Sequence, residues 1–435
     1  MIKTTTSVCS TCLTKVPAVV YREGSQVLLE KTCPEHGTEQ ALLADDPDFY
    51  YESSKDKGAC GPGGCMISHS CTLMFEITEQ CNLTCPTCFT ASSPHLQTRM
   101  SLEDFCSQLD RLLGAGKRDT DTIQLSGGEP TVHPQFTDFV DACFERGVRQ
   151  VFVNTNGIEL ARNPAMVQHL AQYAGRLQVY LQFDGFRPET YAGIRGAKGL
   201  LDLKLKAIDA LQAAGVHVLP VMTVTRGINL DEVGEVVRWT FAHPGLRGVM
   251  LQPAMYAGRY ENEQQQKRLT MGELAREVEA QLGLFSADDF RPIPCSDPNC
   301  FSMATGLRIG DELVPISRHF PRYEEWSEPD IAERLLKFTD QLPFHMVEQF
   351  SEDEVVDQLL DLLGGDEDGG ADSAMFEAKE AFFMVGIKPF QDANNYDQDR
   401  IDACCVHVID KQGNPVSLCE YNTLRRPMEW EGPRA

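Results

Sequence analysis

The chain has 435 residues, 42% of them hydrophobic, and a formal net charge of −25. That length exceeds one ordinary core and predicts about two to three domains, while the acidic balance excludes nucleic acid as a partner and broad docking on anionic membranes. No stretch approaches the roughly 18 apolar residues of a membrane span and no basic-then-apolar leader opens the chain, so the expected compartment is the cytoplasm, where the 16 cysteines point to metal or cluster ligation rather than disulfides.

Residues 1–71 are rich in Cys and Gly and read as an N-terminal metal-binding domain. Cys9-x2-Cys12 and Cys33-x2-His36, 20 residues apart, have the ligand spacing of one tetrahedral Zn or Fe ion. Cys60, Cys65 and Cys71 form a second group. Residues 72–290 alternate short apolar runs with amphipathic patterns. The runs are Leu73–Thr78, Thr122–Leu125, Gln150–Val153, Gln178–Phe183, Val216–Thr223 and Gly248–Gln252. Between them, Leu102, Phe105, Leu109 and Leu112 mark one helical face, and Phe136, Phe139, Val140 and Phe144 another. Leu203, Leu205, Ile208 and Leu211, and Leu230, Val233, Val236 and Val237, mark two more. Such alternation predicts an α/β fold, a partial (β/α)6 barrel with its site at the carboxyl ends of the strands. Cys106 and Cys143 fall on apolar helix faces and read as small buried hydrophobes. Residues 291–435 read as a C-terminal cluster domain, with Cys295, Cys300, Cys404, Cys405 and Cys419 and a flexible acidic loop at 364–373. The eight cysteines of these last two groups suffice for two four-thiolate clusters.

Directly after the first predicted strand stands Cys81-x3-Cys85-x2-Cys88. Three thiolates bind three irons of a cubane [4Fe–4S] cluster and leave the fourth iron open. A zinc knuckle completed by His95, or a plain electron-transfer cluster, would use the same cysteines. The triplet resembles the cluster motif of the radical S-adenosylmethionine (SAM) superfamily, and Ser126-Gly127-Gly128-Glu129-Pro130, after the second predicted strand, resembles its SAM-binding motif. The resemblance implies that the open iron holds the amino and carboxylate groups of SAM and that reduction yields a 5′-deoxyadenosyl radical. It implies that Gly127, Gly128, Glu129 and Pro130 hold the methionine moiety. Asn154, Asn156, Gln182, Asp184 and Gln252, at later strand ends, then serve the ribose, carboxylate and adenine. One departure is Thr87, where many members carry an aromatic residue; Phe89 stands nearby.

Five further strings sharpen the resemblance: Cys33-Pro-Glu-His-Gly37, Gly127-Gly-Glu-Pro-Thr-Val-His-Pro134, Cys295-Ser-Asp-Pro-Asn-Cys300, Cys404-Cys-Val-His407 and Cys419-Glu-Tyr-Asn422. Together they resemble the tetraether lipid synthases and their bacterial relatives, some of which were described as methylating a reduced hydroxymethylpterin. This implies two auxiliary [4Fe–4S] clusters, one mononuclear Fe or Zn, a flavodoxin- or ferredoxin-type reductant, and hydrogen abstraction from an sp3 carbon for C–C coupling on a lipid-like substrate, with at most transient membrane contact. Methylation of a pterin or another small heterocycle is the alternative. A non-catalytic iron–sulfur electron carrier or sensor would have no use for the glycine motif.

Overall fold

A computed structural model describes residues 1–51, 71–114, 122–260, 268–292, 296–309, 312–317 and 382–429. Cys60, Cys65, Cys295 and the acidic stretch 364–373 lie outside the described residues.

The chain opens with an antiparallel sheet in sequential order, β1 (Lys3–Val8), β2 (Lys15–Glu23), β3 (Gln26–Cys33) and β4 (Gly37–Ala44). Gly24, at φ +58, makes the turn between β2 and β3. Strand alternation gathers Ala18, Val20, Val27 and Leu29 on one buried face.

Next comes the alternating array: β5 (Thr72–Thr78), α1 (Leu102–Gly114), β6 (Thr122–Gly127), α2 (Phe136–Glu145), β7 (Gln150–Thr155), α3 (Ile158–Arg162), α4 (Pro164–Leu170) and β8 (Leu177–Gln182). It continues with α5 (Pro188–Arg195), α6 (Leu201–Ala213), β9 (His217–Val224), α7 (Val233–Ala242), β10 (Gly248–Pro253) and α8 (Met271–Leu282). Each of the six predicted runs is a strand, and β5 to β10 pair in parallel, neighbour to neighbour. Phe75, Ile123, Leu125, Val151, Val153, Val179 and Leu181 face outward into the main core. There they meet Phe105 and Leu109 of α1, Phe139 and Val140 of α2, Ile208 and Leu211 of α6, and Val236 and Val237 of α7. Cys143 is fully buried in that core, and Cys106 packs against it.

The chain beyond residue 290 adds β11 (Arg291–Pro292), β12 (Ser302–Ile309), β13 (Glu312–Pro315), β14 (Phe382–Ile387), β15 (Val406–Ile409) and β16 (Pro415–Ser417). These strands do not make a separate sheet. β14 pairs in parallel with β10 and β15 in parallel with β5, so both edges of the array are extended. The order is β11-β12-β14-β10-β9-β8-β7-β6-β5-β15-β16, with β13 on β12. The boundary expected at 290 is therefore no break in the sheet. Among the described residues no hydrogen bonds join the two edges, so the barrel is open.

Candidate active site and metal centre

The loop after β5 carries Cys81, Cys85 and Cys88, and its backbone is tied down at several points. Cys81 N donates to Ser93 O at 3.1 Å and Cys88 N to Cys85 O at 3.2 Å. The Arg259 guanidinium donates to the carbonyls of Cys85 (2.7 Å), Ala91 (2.9 Å) and Ser92 (2.8 Å). The glycine turn after β6 is sewn to the start of the same loop, Gly128 N to Thr78 O at 2.7 Å and Glu129 N to Gln80 O at 2.8 Å. Gly127 stands at φ +128, and a Cβ at Gly127 or Gly128 would fall on the carbonyls of Thr78 or Gln80. Only glycine allows so close an approach.

These pieces border a cavity of about 660 Å³ lined by the three cysteines, Gly127 and Gly128. The cavity follows the inner face of the array. It runs from Thr72, Thr122 and Gln150 at the amino ends to Glu76, Ser126, Asn154, Gln182 and Gln252 at the carboxyl ends. At about 3.3 Å per residue, that is roughly 17 Å along a six-residue strand. One wall is polar: Gln124, Asn154 and Gln182, with Gln124 Nε2 donating to Asn154 Oδ1 at 2.7 Å. Phe152 and Tyr180 stack within it, ring centroids 5.0 Å apart. Another wall is soft and apolar, with Met250, Met303, Met384, Phe301 and Phe390. Thr87 and Phe89 both line the cavity, and Thr87 Oγ1 is bound to Ile194 O at 3.1 Å.

Of the residues expected to hold SAM, Gly127, Gly128, Asn154, Asn156, Gln182 and Gln252 line the cavity. Glu129, Pro130 and Asp184 are buried and lie outside its lining. The Glu129 carboxylate accepts from Thr131 N (3.1 Å), Thr131 Oγ1 (2.6 Å), Thr155 Oγ1 (2.6 Å) and Asn156 N (2.7 Å). Asp184 pairs with Arg195 at 2.6 and 2.7 Å and accepts from Thr223 N at 3.1 Å. Sequence reasoning missed Arg195, Arg259 and Lys204. Their partners are distant in the chain, and no local pattern announces them.

The donor set fits a cluster. Three thiols open on one cavity, beside a turn whose glycines leave backbone bare for a ligand. Burial pushes the Cys81 thiol up to about 12, with the Glu129 charge adding to it. Burial also raises Cys85, against the opposing pull of Arg195. Bound iron reverses that preference, since a coordinating thiol is deprotonated outright.

At the N-terminus the ligand atoms of Cys9, Cys12, Cys33 and His36 lie within 4.8 Å of one another. Cys9 and Cys12 follow β1, and Cys33 and His36 bracket the β3–β4 turn. Hydrogen bonds from Thr14 hold Cys12 down to about 6, and bonds from the Glu35 backbone and His36 lower Cys33. This pair of knuckles is a ready thiolate site for a closed tetrahedral ion.

The remaining described cysteines fall into two groups. Cys300, Cys404 and Cys419 feel one another's charge around the half-buried Arg400, whose Nε donates to Cys300 Sγ at 3.4 Å. Cys71 and Cys405 instead line the cavity, just before the paired starts of β5 and β15. The adjacent Cys404 and Cys405 thus fall in different groups.

A family model described as the radical SAM superfamily matches residues 75–240, and one described as the HMPTM N-terminal zinc ribbon domain matches residues 1–45. The 7,8-dihydro-6-hydroxymethylpterin dimethyltransferase of Methanocaldococcus jannaschii is 28% identical over 98% of this chain and 94% of its own. The antilisterial bacteriocin subtilosin biosynthesis protein AlbA of Bacillus subtilis is 31% identical over 34% of this chain and 32% of its own. Among solved structures, Streptococcus suis SuiB bound to precursor peptide SuiA covers 49% of this chain and 46% of its own, with 16% identity and a TM-score of 0.41; a likeness at that score carries no weight. The radical SAM match begins in β5 and ends in α7, so it takes in the cysteine loop, the glycine turn and the strand ends around them. On that match and those residues, the array from β5 to α7 is a radical SAM superfamily domain.

Proposed function

We propose that the enzyme abstracts hydrogen from an sp3 carbon of an elongated, largely apolar substrate held in the 660 Å³ cavity, and that the outcome is C–C bond formation on a lipid-like molecule. Cys81, Cys85 and Cys88 would hold the [4Fe–4S] cluster, with SAM on the Gly127–Gly128 backbone and among Asn154, Asn156, Gln182 and Gln252. Bound there, cluster and SAM supply a reductive C–S cleavage that delivers a 5′-deoxyadenosyl radical. The protein's part is position and exclusion of water. Arg259 fixes the cysteine loop. Phe89 and Phe390, with ring centroids 6.3 Å apart, cover the cavity beside Cys88. Cys300, Cys404 and Cys419, with Cys295, would hold one auxiliary cluster; Cys71 and Cys405, with Cys60 and Cys65, would hold the other. The N-terminal ion would serve stability or electron entry, with an external flavodoxin- or ferredoxin-type protein as reductant.

The observation that carries this reading is the methionine and phenylalanine wall along a cavity as long as the strands themselves. Methionine is flexible and polarizable, and it conforms to an alkyl chain. Affinity should rise with tail length by about 0.8 kcal/mol per buried methylene. A second reading, methylation of a reduced pterin, rests on the name of the Methanocaldococcus relative. It is favoured by the part of the lining where amides flank the Phe152–Tyr180 stack, as a heteroaromatic ring requires. Anaerobic turnover with SAM, comparing lipids of increasing tail length with reduced pterins, separates the two. Deuterium passing from a labelled tail into deoxyadenosine supports the lipid. Methyl incorporation into a pterin, with S-adenosylhomocysteine and no transfer from the tail, defeats it.

A further inference from the structure

We infer that Asn156 is a positioning residue: it joins the loop that presents the cluster cysteines to the turn that presents the SAM-binding backbone, and Asn82 and Lys204 lock it from two sides.

Every hydrogen-bonding group of Asn156 is engaged by protein. Its N–H donates to Glu129 Oε2 at 2.7 Å, which ties it to the glycine turn. Its Nδ2 donates to Asn82 Oδ1 at 2.7 Å, which ties it to the cysteine loop between Cys81 and Cys85. Its Oδ1 accepts from Ile158 N at 3.0 Å, which fixes the amide's orientation at the start of α3. Its carbonyl accepts from Lys204 Nζ of α6. Asn82 is held in turn, its Nδ2 donating to Glu159 Oε1 at 3.2 Å.

Lys204 is the unexpected member. It is 0% exposed and makes no ion pair among the described residues. Burying an ammonium costs stability; here the Asp184 and Glu129 charges nearby oppose that cost, and its one hydrogen bond among the described residues goes to the Asn156 carbonyl. The bond fixes the Asn156 carbonyl, and through it the two ties on the other side of the same residue. The cysteine loop and the glycine turn otherwise meet through backbone bonds of Gly128 and Glu129. The Asn156 joint adds a side-chain link behind them, where a displacement would move the iron ligands relative to the methionine-binding backbone. Asn156 lies on the cavity wall, and its bonds to Asn82, Ile158, Glu129 and Lys204 fix where that part of the wall stands relative to the cysteine loop and the glycine turn.

The test uses the full-length, anaerobically reconstituted enzyme. Asn82→Ala removes the loop-side tie from a partly exposed loop and leaves the core untouched. Asn82→Asp combined with Glu159→Gln keeps an acceptor for Asn156 Nδ2 and swaps the donor and acceptor of the Asn82–Glu159 bond. Iron content, the electron paramagnetic resonance signal of the reduced cluster with and without SAM, and the SAM dependence of deoxyadenosine formation are measured for each. Asn82→Ala should keep its iron and its reduced-cluster signal, need about three- to tenfold more SAM, and show a diminished change in that signal on adding SAM. The Asn82→Asp/Glu159→Gln double variant should recover most of the response. Lys204→Met should reproduce the Asn82→Ala pattern; if it does not fold, the Asn82 pair decides. A wild-type SAM response in Asn82→Ala, or loss of its cluster iron with no separate effect on SAM, would overturn the assignment.

Discussion

At Gly128 the chain leaves no room for a methyl group, because the Gln80 carbonyl lies where a Cβ would go. Gly128→Ala must therefore shift backbone that also carries the cysteine loop. We expect a stability loss of about 1–3 kcal/mol in urea unfolding and a larger loss of SAM-dependent cleavage than of iron content. Arg195 predicts a different signature. Arg195→Met strands the buried Asp184 carboxylate without its cation, which should cost about 3–5 kcal/mol, measurable as a lowered unfolding midpoint. A variant as stable as wild type would contradict the buried-pair account. These two residues also mark what a sequence can reveal. Paired glycines after a strand are a local signal. Arg195 reaches back to Asp184 across the whole of α5, and Arg259 reaches Cys85 from 174 positions away. Such partners become visible only when the chain is folded. Glu129 lies between these cases: its motif marked it, but its direction, away from the cavity and toward Thr131, Thr155 and Asn156, depends on strand register.

Among the elements, the N-terminal sheet is built around its ligand turns. Lys31 of β3 is buried beneath the carbonyls of Val8 (2.7 Å), Ala393 and Asn394 (3.1 Å). Lys3 meets Asp397 at 2.7 Å, so this sheet is docked on the segment that leads to Arg400. Four ligands close a tetrahedral ion and leave no position for substrate. Cys9→Ser should lower metal content and melting temperature and leave the identity of the product unchanged; a changed product with intact stability would contradict that role. The four strands were not legible from the first 71 residues, where the ligand spacing dominates the pattern. The six barrel strands were legible because apolar runs alternate with helical periodicity. β14 and β15 were not: each is a short apolar run outside that alternation, and each pairs with a strand more than 130 positions away in the chain, β10 and β5, which no local pattern announces.

For the molecule as a whole, the C-terminal strands do what the predicted partial barrel could not. They extend both edges, with Cys300, Cys404 and Cys419 within reach of one another's charge and Cys71 and Cys405 on the cavity. No described helix is long and apolar enough to cross a membrane. If both cysteine groups carry clusters, anaerobic reconstitution should give about twelve irons per chain, plus one if the N-terminal ion is iron; saturation near four irons with full activity would remove the auxiliary clusters from the account. The most direct test of the central claim is deoxyadenosine formation under dithionite, comparing wild type with the variant in which Cys81, Cys85 and Cys88 are all replaced by Ala. The account predicts deoxyadenosine from the wild type and none from a folded triple variant. Undiminished deoxyadenosine from the triple variant would contradict it.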